Sequence, residues 1–299
     1  MLAKTRKHNS IQFFQIFYRF STNSPHVSGD SIANCCDYYV HGRFGGRSIR
    51  LKKLIRAKSI FVNGHSLVSF LEKYGNIINP VVLVSGNSDQ NFQSVPTLPT
   101  SVKLFLCQNL EINDDPVAHT LPIGLENLRL GRSGRTSFHK FQSFFTITDK
   151  ILVPPMSPTN PIRELAIGQA RLKPDLFDVP DQYMTAKEYF SLTRKYKFIL
   201  TLEGNGYENH RVWEALYQGS IAIMLNTEWS RSLVEYGLPI LFVNSIEELS
   251  SKMISQFADE RGNFKPSELK ALWIPFWSTA VESGELPQVS CEKTSNFNA

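Results

Sequence analysis

Apolar residues are gathered along this chain in short runs separated by polar, turn-forming stretches. Ser59–Asn63, Val81–Ser85, Val102–Cys107, Tyr196–Leu202, Ile221–Leu225 and Leu238–Val243 are such runs. They read as strands, and their nearly continuous apolar character is that of strands covered on both faces by helices. The intervening segments carry helical spacing. Leu67–Tyr74 places Leu67, Phe70, Leu71 and Tyr74 on one face. Ser48–Ala57, Ile162–Gln169, Thr185–Arg194, His210–Gln218 and Lys265–Trp277 read as further helices or helical turns. Ser245–Phe257 reads as a helix with Ser245 as N-cap and Glu247 and Glu248 in its first turn. Thr120–Leu125 is a short strand or turn, Phe144–Pro155 holds one more strand, and Gln90–Thr100 and Pro174–Pro180 are loops.

Alternation of strands and helices predicts an α/β chain with parallel strands. The pattern divides near residue 160. Residues 1–45 form an N-terminal extension, partly disordered or helical. Residues 46–160 and 161–283 form two Rossmann-like α/β/α halves facing a cleft, the first of them small, and 284–299 is a flexible tail.

Composition narrows the class. With 299 residues, 42% of them hydrophobic and only 20% charged, the chain can bury sizeable cores. Its longest apolar runs are far too short to cross a bilayer, and no secretory-type apolar segment is present. A net charge of +5 suits an anionic ligand but selects none. Cys35, Cys36, Cys107 and Cys291 show neither a disulfide framework nor a paired metal-binding spacing, which points to a reducing, cytoplasmic setting. Two stretches keep a membrane contact open. Residues 1–29 lack acidic side chains and contain the aromatic run Phe13–Phe20, so they read as a membrane-surface helix, an organelle targeting segment or a helix packed on the domain. Arg43–Lys58 is basic, and reads as a solvated helix face or as a surface for phospholipid or nucleic acid.

The chemistry concentrates in Phe198–Leu225, which reads as strand, glycine-bearing loop, helix, glycine turn and strand. Its loop and first helical turn carry Glu203, Gly204, Asn205, Gly206, Glu208, Asn209, His210, Arg211 and Glu214. A helix N-terminus at the carboxyl end of a buried strand is a place where phosphates bind. Arg211 can grip two oxygens of a diphosphate, and Glu214, three residues on, can accept ribose hydroxyls. The glycines allow close backbone approach. A helix salt bridge between Arg211 and Glu214 beside a polar cap is the plain alternative. The first half adds polar groups at the ends of its apolar runs: Asn87 and Asp89, Gln108 and Asn109, and Pro122–Asn127.

The segment Arg211-Val212-Trp213-Glu214-Ala215-Leu216-Tyr217-Gln218-Gly219, followed by the apolar Ser220–Leu225, resembles the donor-binding segment of GT-B glycosyltransferases. It is nearest to the exostosin-like group and more weakly similar to the α1,3-fucosyltransferases. The likeness extends loosely through Trp229, Leu233, Leu238–Val243 and Ile246–Leu249, about a third of the chain in all. The block from Cys107-Gln108-Asn109 to Leu121–Asn127 is similar to segments of bacterial and viral proteins related to these transferases.

The resemblance implies a GT-B-like fold whose second half binds a UDP- or GDP-linked sugar as donor substrate. Arg211 would meet the diphosphate and Glu214 the ribose. Transfer to a glycan or other hydroxyl acceptor would need no metal, in keeping with the lack of an Asp-x-Asp triplet; Asp114-Asp115 reads as a turn. Asp89 and Glu126 are the candidates for general base in an inverting reaction, with His119 and His65 as outside choices, and His210 and Glu203 could touch donor or sugar. Three other readings compete: a non-catalytic nucleotide-sugar or glycan-binding protein, a nucleic-acid-binding protein using Arg43–Lys58, and a sugar-nucleotide epimerase. The last lacks the dinucleotide-binding glycine fingerprint.

Overall fold

A computed structural model describes residues 22–40, 49–111, 115–140, 148–181 and 184–289. The run Phe13–Phe20, the first part of the basic stretch (43–48), Asp114 and Cys291 lie outside the described residues.

Two parallel sheets form the framework. The first takes β1 (Tyr38–Val40), β2 (Ser59–Asn63), β3 (Val82–Gly86), β4 (Leu104–Cys107) and β5 (Ala118–Thr120) in plain sequence order. Right-handed crossovers that always step the same way put their connections on one face. That face carries Ile60, Val62, Leu83, Phe105 and Cys107, packed with Leu54 of α2 (Leu51–Leu54) and with Leu67, Phe70 and Leu71 of α3 (Leu67–Tyr74). The opposite face presents Phe61, Val82, Val84, Leu104 and Leu106, and chain from elsewhere covers it. One contributor is α1 (Gly29–Ala33), closed by a Ser28–Ser31 capping box; another is α9 (Ile274–Ser283), which returns from the far end with Phe276, Trp277 and Ala280.

The second sheet runs β10 (Ile240–Val243), β9 (Ile221–Leu225), β8 (Tyr196–Leu200), β6 (Thr148–Leu152), β7 (Phe177–Asp178), again all parallel. One face packs on α4 (Pro161–Arg171) and α8 (Ser251–Arg261) through Ala166, Ala170, Ile254 and Phe257. The other meets α6 (His210–Tyr217) and the Leu192 side chain of α5 (Ala186–Thr193). Both units are therefore sheets flanked by helices, the generic two-domain Rossmann-like arrangement.

Three details differ from the sequence pattern. The strand β6, placed by pattern with residues 46–160, is hydrogen-bonded between β7 and β8 of the second sheet, so the change of sheet falls between Thr120 and Thr148. Ser245 does not cap a long helix; a 3-10 turn at Ile246–Glu248 comes first, and Ser250 caps α8 by accepting the Met253 N–H at 3.3 Å. The halves, expected to face a cleft, share a core. One apolar cluster runs from Phe61, Val84 and Leu106 to Val212, Trp213, Leu216 and Tyr217 of α6 and on to Trp229 of the short α7 (Glu228–Arg231) and Tyr236. Cys35, Cys36 and Cys107 are free thiols, and burial pushes Cys107 up to about 12, so it packs as a small hydrophobe.

Candidate functional site

In the second sheet β7 lies on one side of β6 and β8 on the other. The connections after β6 and β8 thus leave in opposite directions and open a crevice at the carboxyl ends, where open α/β sheets take their ligands. Two arginines bridge the crevice. Arg163 of α4, only 5% exposed, donates from Nε to Glu203 O at 2.7 Å and from Nη2 to Leu202 O at 3.1 Å. Its Nη1 donates to Ser157 O and Thr159 Oγ1, both at 2.9 Å. Arg211 enters from the first turn of α6, whose N-cap Asn209 accepts the Arg211 N–H at 2.9 Å.

Arg211 Nη2 donates to Pro155 O, its Nε is buried without a partner, and its guanidinium lies 5.6 Å from the centre of the Tyr189 ring. Burial, and next the nearby Arg211, lower the pKa of Arg163. Neither guanidinium forms an ion pair with a carboxylate among the described residues. Sequence reading passed over Arg163 because its position in an ordinary amphipathic helix carries no signal.

Helix α6 explains why Glu214 is not simply a surface group. Residues Val212–Tyr217 are all buried, because the helix is held between its own sheet and the shared core. Glu214 is 4% exposed and lies beside the Tyr189 phenol, whose pKa burial and that carboxylate hold well above the usual range. The Arg211–Glu214 salt bridge weighed as the plain alternative is absent from the ion pairs formed among the described residues.

The loop between β8 and α6 also docks on the first half. Asn205 Nδ2 donates to Asp89 Oδ2 at 3.2 Å, the Tyr207 N–H to Asn91 Oδ1 at 3.2 Å and the Glu208 N–H to Asn109 Oδ1 at 3.1 Å. Asn109 holds a left-handed backbone (φ 54°) and anchors itself by donating to Ser88 O at 3.2 Å. Gly206 is required beneath it, since a Cβ there would come 2.7 Å from Asn109 Nδ2 and 2.9 Å from its Cγ. Glu208 is buried and accepts the Ile123 N–H at 2.7 Å and the Trp213 Nε1–H. Desolvation outweighs both bonds and pushes its carboxyl up to about 8. His210 Nδ1 donates to Gly124 O at 2.8 Å, which leaves Nε2 as the acceptor nitrogen of the neutral ring. The two stretches singled out in the sequence, 203–214 and 122–127, therefore meet.

The other candidates separate. Asp89 is exposed on the rim, opposite Asn205. Glu203 is half-buried, and desolvation raises its carboxyl above the ordinary range. Glu126 is buried, and its Oε2 accepts the Ser133 N–H at 3.0 Å and closes a local turn. Asn87 (φ 55°) belongs to a buried knot, donating to Asp30 Oδ1 at 3.1 Å and accepting from Asn127 Nδ2 at 2.7 Å. His119 Nδ1 pairs with Glu235 Oε2 at 3.0 Å, and Asp115 Oδ1 accepts the Val117 N–H at 3.0 Å, as a turn residue does. The His65 N–H donates to the capping side chain of Asn63 at 3.2 Å.

Behind α6, His139 is 2% exposed, its Nε2 donates to Ser133 O at 2.9 Å, and its Nδ1 is buried without a partner. Burial pushes its pKa down to about 4. Below 6.5 the unfolded chain therefore binds a proton that the folded chain refuses, so stability falls as pH drops from 6.5 towards 4. Urea denaturation of wild type and His139→Gln is expected to show this as a difference between the two proteins, the wild type losing stability relative to the variant as pH drops from 6.5 towards 4.

No family model matches this chain, and a search of the curated proteins found no match in sequence.

Proposed function

We propose that this chain is a glycosyltransferase-like enzyme of GT-B type. It binds a UDP- or GDP-linked sugar at the crevice between β6 and β8 and passes the sugar to a glycan or other hydroxyl acceptor. The observation that carries the reading is the pair Arg163 and Arg211, adjacent at the strand-order switch and without a carboxylate ion partner. Such a site favours a multiply charged anion, and the charge-bearing group of a sugar nucleotide is a diphosphate. Arg163 is spent on four backbone and hydroxyl oxygens, so it shapes the crevice and adds field. Arg211 keeps donor capacity and would meet the phosphates.

In transfer, negative charge grows on the departing diphosphate, and Arg211 with the first turn of α6 would stabilise it where it develops. These positive groups perform in this reading the task a metal performs elsewhere. The acceptor hydroxyl must lose a proton. Glu203 and Asp89 flank the same loop, and desolvation gives Glu203 the raised pKa of a general base. Glu126 ranks behind them in this reading, because its Oε2 already accepts the Ser133 N–H. Glu214 would reach ribose hydroxyls once the Tyr189 side chain moves from its front.

A non-catalytic binding protein of the same fold is the second reading. The engagement of Asp89 by Asn205 and of Glu126 by Ser133 favours it, because two of the candidate bases then already accept hydrogen bonds from the protein. Incubation of the protein with UDP- and GDP-sugars separates the two. Release of nucleoside diphosphate that Arg211→Ala abolishes supports the enzyme; binding without release supports the second reading; neither binding nor release removes both.

A further inference from the structure

A surface far from the crevice combines charge with exposed apolar side chains. In residues 49–58, Leu54 and Ala57 are buried and anchor the segment under the first sheet. Around them Arg50, Lys52, Lys53, Arg56 and Lys58 are all exposed, and none takes part in an ion pair among the described residues. The segment contains no acidic residue. Asp37 beside the segment accepts the backbone N–H groups of Lys58 and Ser59 at 2.8 and 3.1 Å. Among the cations stand Leu51 and Ile55, each 44% exposed and one helical turn apart, so both project to the same side.

We propose that α2 and its flanks are a docking surface for an anionic phospholipid bilayer, with the cations over the headgroups and Leu51 and Ile55 entering the interface. Charge alone would suit any polyanion. The pair of exposed aliphatic side chains selects a lipid surface, because apolar groups gain there and gain nothing against a nucleic acid phosphate backbone. Base-stacking aromatic side chains, the other requirement of single-stranded nucleic acid, are missing from the segment. An enzyme so placed would work on acceptors at or near a membrane surface.

The test is sedimentation of the full chain with phosphatidylcholine vesicles, with and without phosphatidylserine, at near-physiological salt. Binding is expected only to the phosphatidylserine vesicles. The triple variant Lys52→Glu, Lys53→Glu, Arg56→Glu is expected to lose roughly a hundredfold in affinity. Leu51→Ser with Ile55→Ser, which keeps every charge, is expected to lose roughly tenfold. Thermal unfolding of each variant checks that the fold is kept. No binding to phosphatidylserine vesicles overturns the proposal, as does binding that neither variant weakens. Loss with the charge variant alone, accompanied by equal competition from duplex DNA, would reassign the surface to nucleic acid.

Discussion

Glu208→Ala is expected to destabilise the fold by about 2–4 kcal/mol, the largest effect of any single polar substitution in the central segment. Two buried donors, the Ile123 N–H and the Trp213 Nε1–H, converge on this carboxyl, one from each half. Truncation leaves both without an acceptor in the shared core. No charge relief offsets the loss near neutrality, because a carboxyl pushed up to about 8 is already largely protonated there. Glu208→Gln keeps one acceptor oxygen but turns an amide N–H₂ towards the other donor, so it falls between wild type and alanine. A pH signature accompanies the effect. The folded-state pKa lies above the unfolded value, so the stability Glu208 contributes is complete below 4.5 and drains away as pH rises towards 8. Urea denaturation at several pH values should show the stability difference between wild type and Glu208→Ala shrinking as pH rises from 4.5 towards 8, the His139 contribution being common to both. Equal midpoints for the two proteins would mean that Glu208 does not tie the halves together.

Arg211→Ala is expected to weaken nucleoside diphosphate binding at least tenfold, about 1.4 kcal/mol, and to reduce transfer by about a hundredfold or more. The cation is placed by the first turn of α6 and aimed by its bond to Pro155 O, and its Nε has no protein partner to lose. The same substitution should change stability by only about 1 kcal/mol. It removes one hydrogen bond, and it also relieves repulsion from the buried Arg163. Loss of binding without loss of fold is therefore the expected combination, read by titration and denaturation of the same preparation. Arg211→Lys should recover part of the binding, because an ammonium keeps the charge but not the two-pronged geometry.

Much of the framework is legible in the sequence. Ile221–Leu225 is a continuous apolar run between the turn at Gly219 and polar Asn226, so its limits as β9 follow from pattern alone, as do those of Ser59–Asn63 in β2. Pattern cannot say which strands become neighbours. β6 looks the same whether it closes the first sheet or lies inside the second, and only long-range pairing with β7 and β8 decides. Local competition hid the start of α8. Ser245 is a good cap by type, but the chain caps α8 with Ser250 because Leu249 takes an extended conformation first. The two-residue β7 is too short to carry a period at all.

The candidate site was readable in part for a similar reason. The 203–214 and 122–127 segments stand out by composition, but their contact through Glu208, Ile123, His210 and Gly124 spans more than eighty residues. Glu126 resembles its neighbours in sequence, and its bond to the Ser133 N–H is visible only in the folded turn. Arg163 was invisible because a buried arginine gives no local mark; its role lies in the carbonyls of two loops that only the folded sheet brings together. Glu214 and Arg211 both lie beside Tyr189, which comes from a helix with no motif of its own.

Calorimetric titration of the full chain with UDP, GDP and their sugars, repeated on Arg211→Ala, tests the central claim most directly. Micromolar binding to one nucleotide series, weakened at least tenfold by the substitution while the unfolding midpoint holds, is the predicted result and names the base. Absence of binding to both series, or binding that Arg211→Ala leaves unchanged, would contradict a nucleotide-sugar site at the β6–β8 crevice.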